Sequence, residues 1–232
     1  MAKSKIIKDL ANGNVDTLTA LKRTKVLLSD FDNQEVKTWI NNEITGYPST
    51  ATLPDYRVTM GNLVGSYFKG SMASHMTWKN VSIPLGKMPD DIRDKLLSVP
   101  FTQGVDALKQ LSEDKSGTLG KTIPADFFPV IATYNEDPYM IITSARVVTS
   151  HQFINDILSV IENRLLDVLI LLEKEFGNLD ELDLDFSQKT ADELNAISDQ
   201  IIVIVYNDNR VTIGDGNKIK DSTIASAINE AK

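Results

Sequence analysis

Two histidines, one Gly-Lys-Thr triplet and a scatter of carboxylates are the groups in this 232-residue chain that invite a chemical reading. His75 and His151 lie far apart, and neither belongs to an H-E-x-x-H arrangement. There is no cysteine to join them, so no metal centre is expected. Gly117-Thr118-Leu119-Gly120-Lys121-Thr122 comes nearest to a phosphate loop. Its glycines stand three residues apart where the loop requires five, and no strong strand pattern precedes it, so a plain polar loop is expected. A Ser-His-Asp triad has no G-x-S-x-G elbow to support it. Asp208 and Asp215-Gly216-Asn217 suggest calcium, but the ligand order and closing glutamate of an EF-hand are missing, and tight turns are expected instead. The acidic cluster at 180–185 is nearly continuous, whereas a two-metal nuclease needs carboxylates delivered by separate elements. No catalytic set, metal or cofactor is therefore expected.

One constellation is left. Glu43, Tyr56 and Arg57 flank a break between a helix and a strand. Charged and aromatic groups at such a break can line a groove for a ligand. They can equally specify the fold, with Glu43 capping the following backbone or pairing with a buried Arg57. An enzyme effector, a hydrolase or nuclease, would have to assemble its site from scattered residues such as Glu43, Arg57 and His75.

Composition narrows the classes. A hydrophobic fraction of 42% and a charged fraction of 24% are ordinary for a globular chain. The net charge of −8 argues against non-specific nucleic-acid binding, which needs clustered cations. The N-terminal MAKSKIIKDL has no apolar signal region, and absence of cysteine fits a reducing compartment, so a cytoplasmic location is expected.

The elements that would position any site centre on Thr149–Phe176. Ile154, Leu158, Ile161, Leu165, Val168 and Leu172 recur at spacings of four and three, one helical stripe. Thr149 and Gln152 fit a capping box, Val148 and Phe153 a hydrophobic staple, and Gly177 a helix stop. Asp156, Glu162, Arg164 and Asp167 interrupt the run, so it does not read as a membrane span of about 20 apolar residues. Before it come short helices over the first fifty residues, with caps at Asp16 and Asp32-Asn33. Strand patterns follow at Tyr56–Met60 and Leu63–Phe68 around Gly61-Asn62, and at Met76–Leu85, where the alternation slips near Asn80. Helices are predicted from Asp90 to Pro100 and around Val105–Leu111, a loop over 112–124, and a strand over Tyr139–Val148.

The expected fold is α+β: a mostly helical domain around one long helix, with a small antiparallel sheet. The domain is placed at 1–177, an acidic connector at 178–199, and a β-rich tail, hairpin or solenoid-like, at 200–232. The tail opens with the β-branched run Ile201–Tyr206 and continues with Val211, Ile213, Ile219 and Ile224 between turn residues. So few inward aliphatics cannot make an independent core. Such a tail should pack on the body or on copies of itself, which points to a homo-oligomer.

Trp39-Ile40-Asn41-Asn42-Glu43-Ile44-Thr45-Gly46-Tyr47-Pro48, followed by Leu53-Pro54-Asp55-Tyr56-Arg57, resembles the signature of the AbiTii domain family. IIKDLANG and the LTALKRTKVLLSDF helix resemble it as well. The resemblance implies a part in abortive infection, the bacterial defence in which infected cells stop phage propagation. It brings no catalytic residues with it. The expectation is thus a non-enzymatic phage-defence protein that senses or self-assembles, with itself, a phage protein or a host protein as partner. The alternatives are the enzyme effector above or a module binding a small ligand or phage protein.

Overall fold

The computed structural model describes residues 3–71, 74–114 and 118–206. The chain divides into two compact units, one from residues 1–46 and 160–232, the other from 47–159.

The first unit is helical in its described part. Helices α1 (Lys5–Ala11), α2 (Thr17–Leu27) and α3 (Gln34–Thr45) begin and end on local signals. Asp16 accepts from the Thr19 backbone N–H at 2.9 Å, and Asn33 from that of Val36 at 2.9 Å, each satisfying an orphan donor of a first turn. Gly46 closes α3 at φ +96°, a conformation that suits glycine. Helix α7 (Gln152–Phe176) contributes its second half, where Ile161, Leu165, Val168, Leu169 and Leu172 have no solvent exposure. Four of these, Ile161, Leu165, Val168 and Leu172, belong to the stripe read from the sequence, in which Leu158 is only half-buried.

The first turn of α7 differs from expectation. Thr149 pairs with Leu119 as the last residue of a strand, and Ser150 Oγ takes the cap by accepting from the Gln152 N–H. The Gln152 side chain reaches forward to Asp156 instead of back to a cap. Sheet pairing has claimed the residue that the capping box needed.

A larger correction concerns the last described helix, α8 (Ala191–Tyr206). Ile201–Tyr206, expected to open a β-rich tail, forms its last turns, with Ile201 and Val205 fully buried. β-branched residues lose little in a helix whose apolar face packs, and packing has overridden their strand preference. Val211, Ile213, Ile219 and Ile224 lie outside the described residues.

The second unit carries the sheet. Strands β2 (Asn62–Ser71), β3 (Ser74–Ser82), β5 (Leu119–Thr122) and β6 (Ile141–Thr149) form one antiparallel sheet in the order β3-β2-β6-β5. The slip near Asn80 is a bulge. Gly65 pairs with Val81 and Tyr67 with Trp78, so Lys79 and Asn80 face a single residue, and Asn80 adopts φ +51°. Strand β1 (Val58–Met60) does not pair with β2 across Gly61-Asn62. It pairs with β4 (Ser98–Pro100), a strand where the sequence suggested only a helix end. Helices α4 (Asp90–Leu97), α5 (Val105–Glu113) and α6 (Phe128–Tyr134) complete the unit. Strand β5 falls within the stretch expected to be loop, and is the edge of the sheet.

Candidate functional site

Two of the three residues singled out at the helix-to-strand break, Glu43 and Arg57, are closed to solvent. Arg57, at the end of a 3-10 turn over Asp55–Arg57, is 0% exposed. Its guanidinium donates to the carbonyls of Phe101 at 3.3 Å and Gln103 at 2.5 Å, and lies 4.9 Å from the Tyr47 ring centroid. The Phe101 N–H donates back to the Arg57 carbonyl at 2.8 Å. A planar, permanently charged fork suits such a clamp. Glu43, on α3 in the helical unit, is also 0% exposed, and Tyr56 is half-buried. Arg57 therefore acts as a fastener for residues 101–103. Of Glu43, Arg57 and His75, the first two lie in the interior.

Gly120-Lys121-Thr122 is edge strand, and its geometry explains its glycine. A Cβ on Gly120 would stand 1.8 Å from the Val147 carbonyl oxygen, and its φ is +150°. Only a residue without a side chain lets β5 approach β6 so closely. The neighbouring Lys121 faces Val147, which is fully buried, so its aliphatic stem runs on the core side of the sheet. Its ammonium emerges to donate to the Lys95 carbonyl at 3.2 Å. Partial burial pulls the Lys121 pKa below the ordinary lysine value.

That ammonium stands at a cleft of about 330 Å³ bounded by α4, β5, the 3-10 turn Ala125–Phe127 and α6. Met88, Ile92 and Leu96 recur every four residues, which puts them on one side of α4 and its entry, with Lys95 beside them. Ile123 and Ile131 form buried wall, while Phe127 and Val130 are exposed at 48% and 41%. No carboxylate lines this cleft. A shallower hollow shares Lys95 and Lys121 and adds Met60 and Asp94. A third, lined by Glu136, Asp137 and Ile141 among others, lies against α6 at Phe128, Pro129, Ala132 and Thr133.

Among the described residues neither Lys95 nor Lys121 is in an ion pair. Nor do the described residues contain a group of three or more metal-ligating side chains. No described helix is long and apolar enough to cross a membrane. Sequence reading missed the cleft because it took β5 for loop and so could not place Lys121 on a sheet edge. The signal it had was the apolar series Met88, Ile92, Leu96 combined with Ile123, Phe127 and Val130.

No curated protein matches this chain, and no solved structure does. The AbiTii family model matches residues 4–197, more than four fifths of the chain, from the turn before α1 into α8. The match spans the W-x-x-x-E-x-x-G-Y-P and L-P-x-Y-R segments, whose Trp39 and Arg57 are fully buried. The chain belongs to the AbiTii family, associated with abortive infection and phage defence.

Proposed function

We propose that this protein serves abortive infection as a non-enzymatic sensing module whose sheet unit recognises the signal at the α4–β5–α6 face. The observation that carries the reading is the distribution of exposed apolar surface. Eight large hydrophobic side chains are exposed among the described residues, and six of them belong to the sheet unit: Met60, Met76, Phe127, Val130, Tyr139 and Ile141. Phe127 and Val130 line the cleft itself. Exposed apolar groups gathered around concave surface and flanked by polar groups are the usual mark of a binding site.

The experiment is phage plating on cells carrying the wild-type gene, Val130→Asp, or no gene. The reading expects protection from the wild type and its loss in Val130→Asp at equal protein level. Full protection by Val130→Asp would overturn it.

The segment after Tyr206 is proposed to promote self-association through Val211, Ile213, Ile219 and Ile224. The support is the alternation of single aliphatics with turn residues, too sparse for an independent core. Because α8 runs to Tyr206, the informative deletion starts at residue 207. Native mass measurement should show an oligomer for the full chain and a monomer for the deletion. A monomeric full chain would remove this part.

A further inference from the structure

The cleft is more selective than its apolar walls suggest. Ile92, Leu96, Phe127 and Val130 supply an apolar lining, and Lys95 and Lys121 line both this cleft and the hollow beside it. The lining contains no acidic residue, and Asp94 lines the adjoining hollow. Neither ammonium is paired with a described carboxylate, and Lys121 donates a hydrogen bond to a neutral carbonyl. In a chain with 32 acidic and 24 basic residues, two unpaired lysines beside an apolar cleft are an arrangement that an anion would complete.

We propose that the α4–β5–α6 cleft binds a small soluble amphipathic carboxylate, its apolar body against Ile92, Leu96, Phe127 and Val130 and its head group at Lys95 and Lys121. This rests on the reading of the same face as the recognition surface. A volume of about 330 Å³ is at the lower end of ligand sites, roughly 300–1,000 Å³. It suits a molecule of roughly ten non-hydrogen atoms at about 30 Å³ each. The carboxylate would accept from both ammonium groups. Partial burial of Lys121 lowers its hydration, so a charge-assisted bond there replaces less water than at a fully exposed lysine. A carbonyl partner already holds the Lys121 stem in place, which reduces the side-chain ordering needed on binding.

The test is calorimetric titration of the full chain with decanoate below its micelle concentration. Decanol serves as the uncharged control and vesicles of anionic lipid as the membrane control. Saturable one-site binding of decanoate is expected, with decanol at least about tenfold weaker, the scale of a charge-assisted hydrogen bond. The double variant Lys95→Met with Lys121→Met should weaken decanoate about tenfold or more and leave decanol unchanged. Val130→Trp fills the cleft and should abolish both. Thermal melts of each variant within a few degrees of wild type establish that the fold is kept.

Absence of saturable decanoate binding, equal binding of decanol, binding only to vesicles, or unchanged binding by Val130→Trp would each overturn the proposal. Phage plating with Val130→Trp separates it from the reading it rests on. Lost protection without decanoate binding in wild type would reject the ligand class and keep the recognition face. Decanoate binding together with undiminished protection in Val130→Trp would keep the ligand site and reject its role in defence.

Discussion

Two charged groups, one in each unit, show how differently the halves of this molecule treat charge. Glu173 on α7 in the helical unit is nearly buried, with 9% of its side chain exposed. Burial alone would raise its pKa, but Lys3 Nζ and the Ser4 hydroxyl at 2.7 Å each, with the Ser4 backbone N–H, hold it at about 2. Lys121 in the sheet unit is pulled the other way. Desolvation lowers its pKa, and no described carboxylate compensates. In the first case folding has stabilised the charge, and in the second it has made the charge less favourable. The difference lies in the partners: Glu173 is met by Lys3 and Ser4, while Lys121 meets only the neutral Lys95 carbonyl.

Buried clamps should cost most when cut. Arg57→Met leaves the Phe101 and Gln103 carbonyls without their donor and should destabilise the protein by about 3 kcal/mol. Urea unfolding measures this, and a loss under about 1 kcal/mol would mean that Arg57 is available for a role other than fastening.

Ser4→Ala should come next. Its hydroxyl donates to Glu173 and accepts from the Leu179 N–H at 3.0 Å, in a residue with no solvent exposure. A loss of about 2 kcal/mol is expected, with early proteolysis near α1. An unchanged midpoint would break the contrast between a satisfied Glu173 and an uncompensated Lys121.

Acid sharpens the same point. The folded Glu173 carboxyl sits near 2 against an ordinary 4.5, so its contribution is present above 4.5. It should be lost progressively as pH falls from about 4.5 towards 2, and Glu173→Gln should flatten that part of the stability profile. A variant with the same acid limb as wild type would show that other carboxylates govern it.

At the cleft the expected stability effect is small. Val130→Asp puts a charge on a side chain that is 41% exposed and should move the unfolding free energy by about 0.5 kcal/mol or less. A loss of several kcal/mol would mean that Val130 belongs to the core and that the comparison is drawn in the wrong place.

The smallest effect is spectroscopic. Tyr206, at the end of α8, is pushed up to about 12 by burial and by the charges of Glu35 and Glu43. An alkaline absorbance titration should therefore show a phenol ionising at about 12, and Tyr206→Phe should remove that step. Its neutral form is the folded one, so its contribution is lost as pH rises from about 10 to about 12.

The amino-acid order by itself determined the features that depend on neighbours within a few residues. Asp16 and Asn33 cap the helices that follow them, Gly46 ends α3, Asn80 marks the bulge, and the four-three stripe of α7 is buried except at Leu158. Each needs only a local hydrogen bond, a local dihedral or a helical period. The AbiTii assignment was legible for the same reason, because its signature is short and contiguous in the chain. Tertiary structure decided the cases in which distant segments compete for one residue. Thr149 went to Leu119 in the sheet instead of to its cap, and β1 went to β4 across a separation of about forty residues. Ile201–Tyr206 followed the packing of α8 instead of its β-branched preference. The cleft belongs to this second class. Lys121 acquires its position only because β6 pairs with β5 and α4 brings the Lys95 carbonyl to its ammonium, contacts that no local pattern encodes.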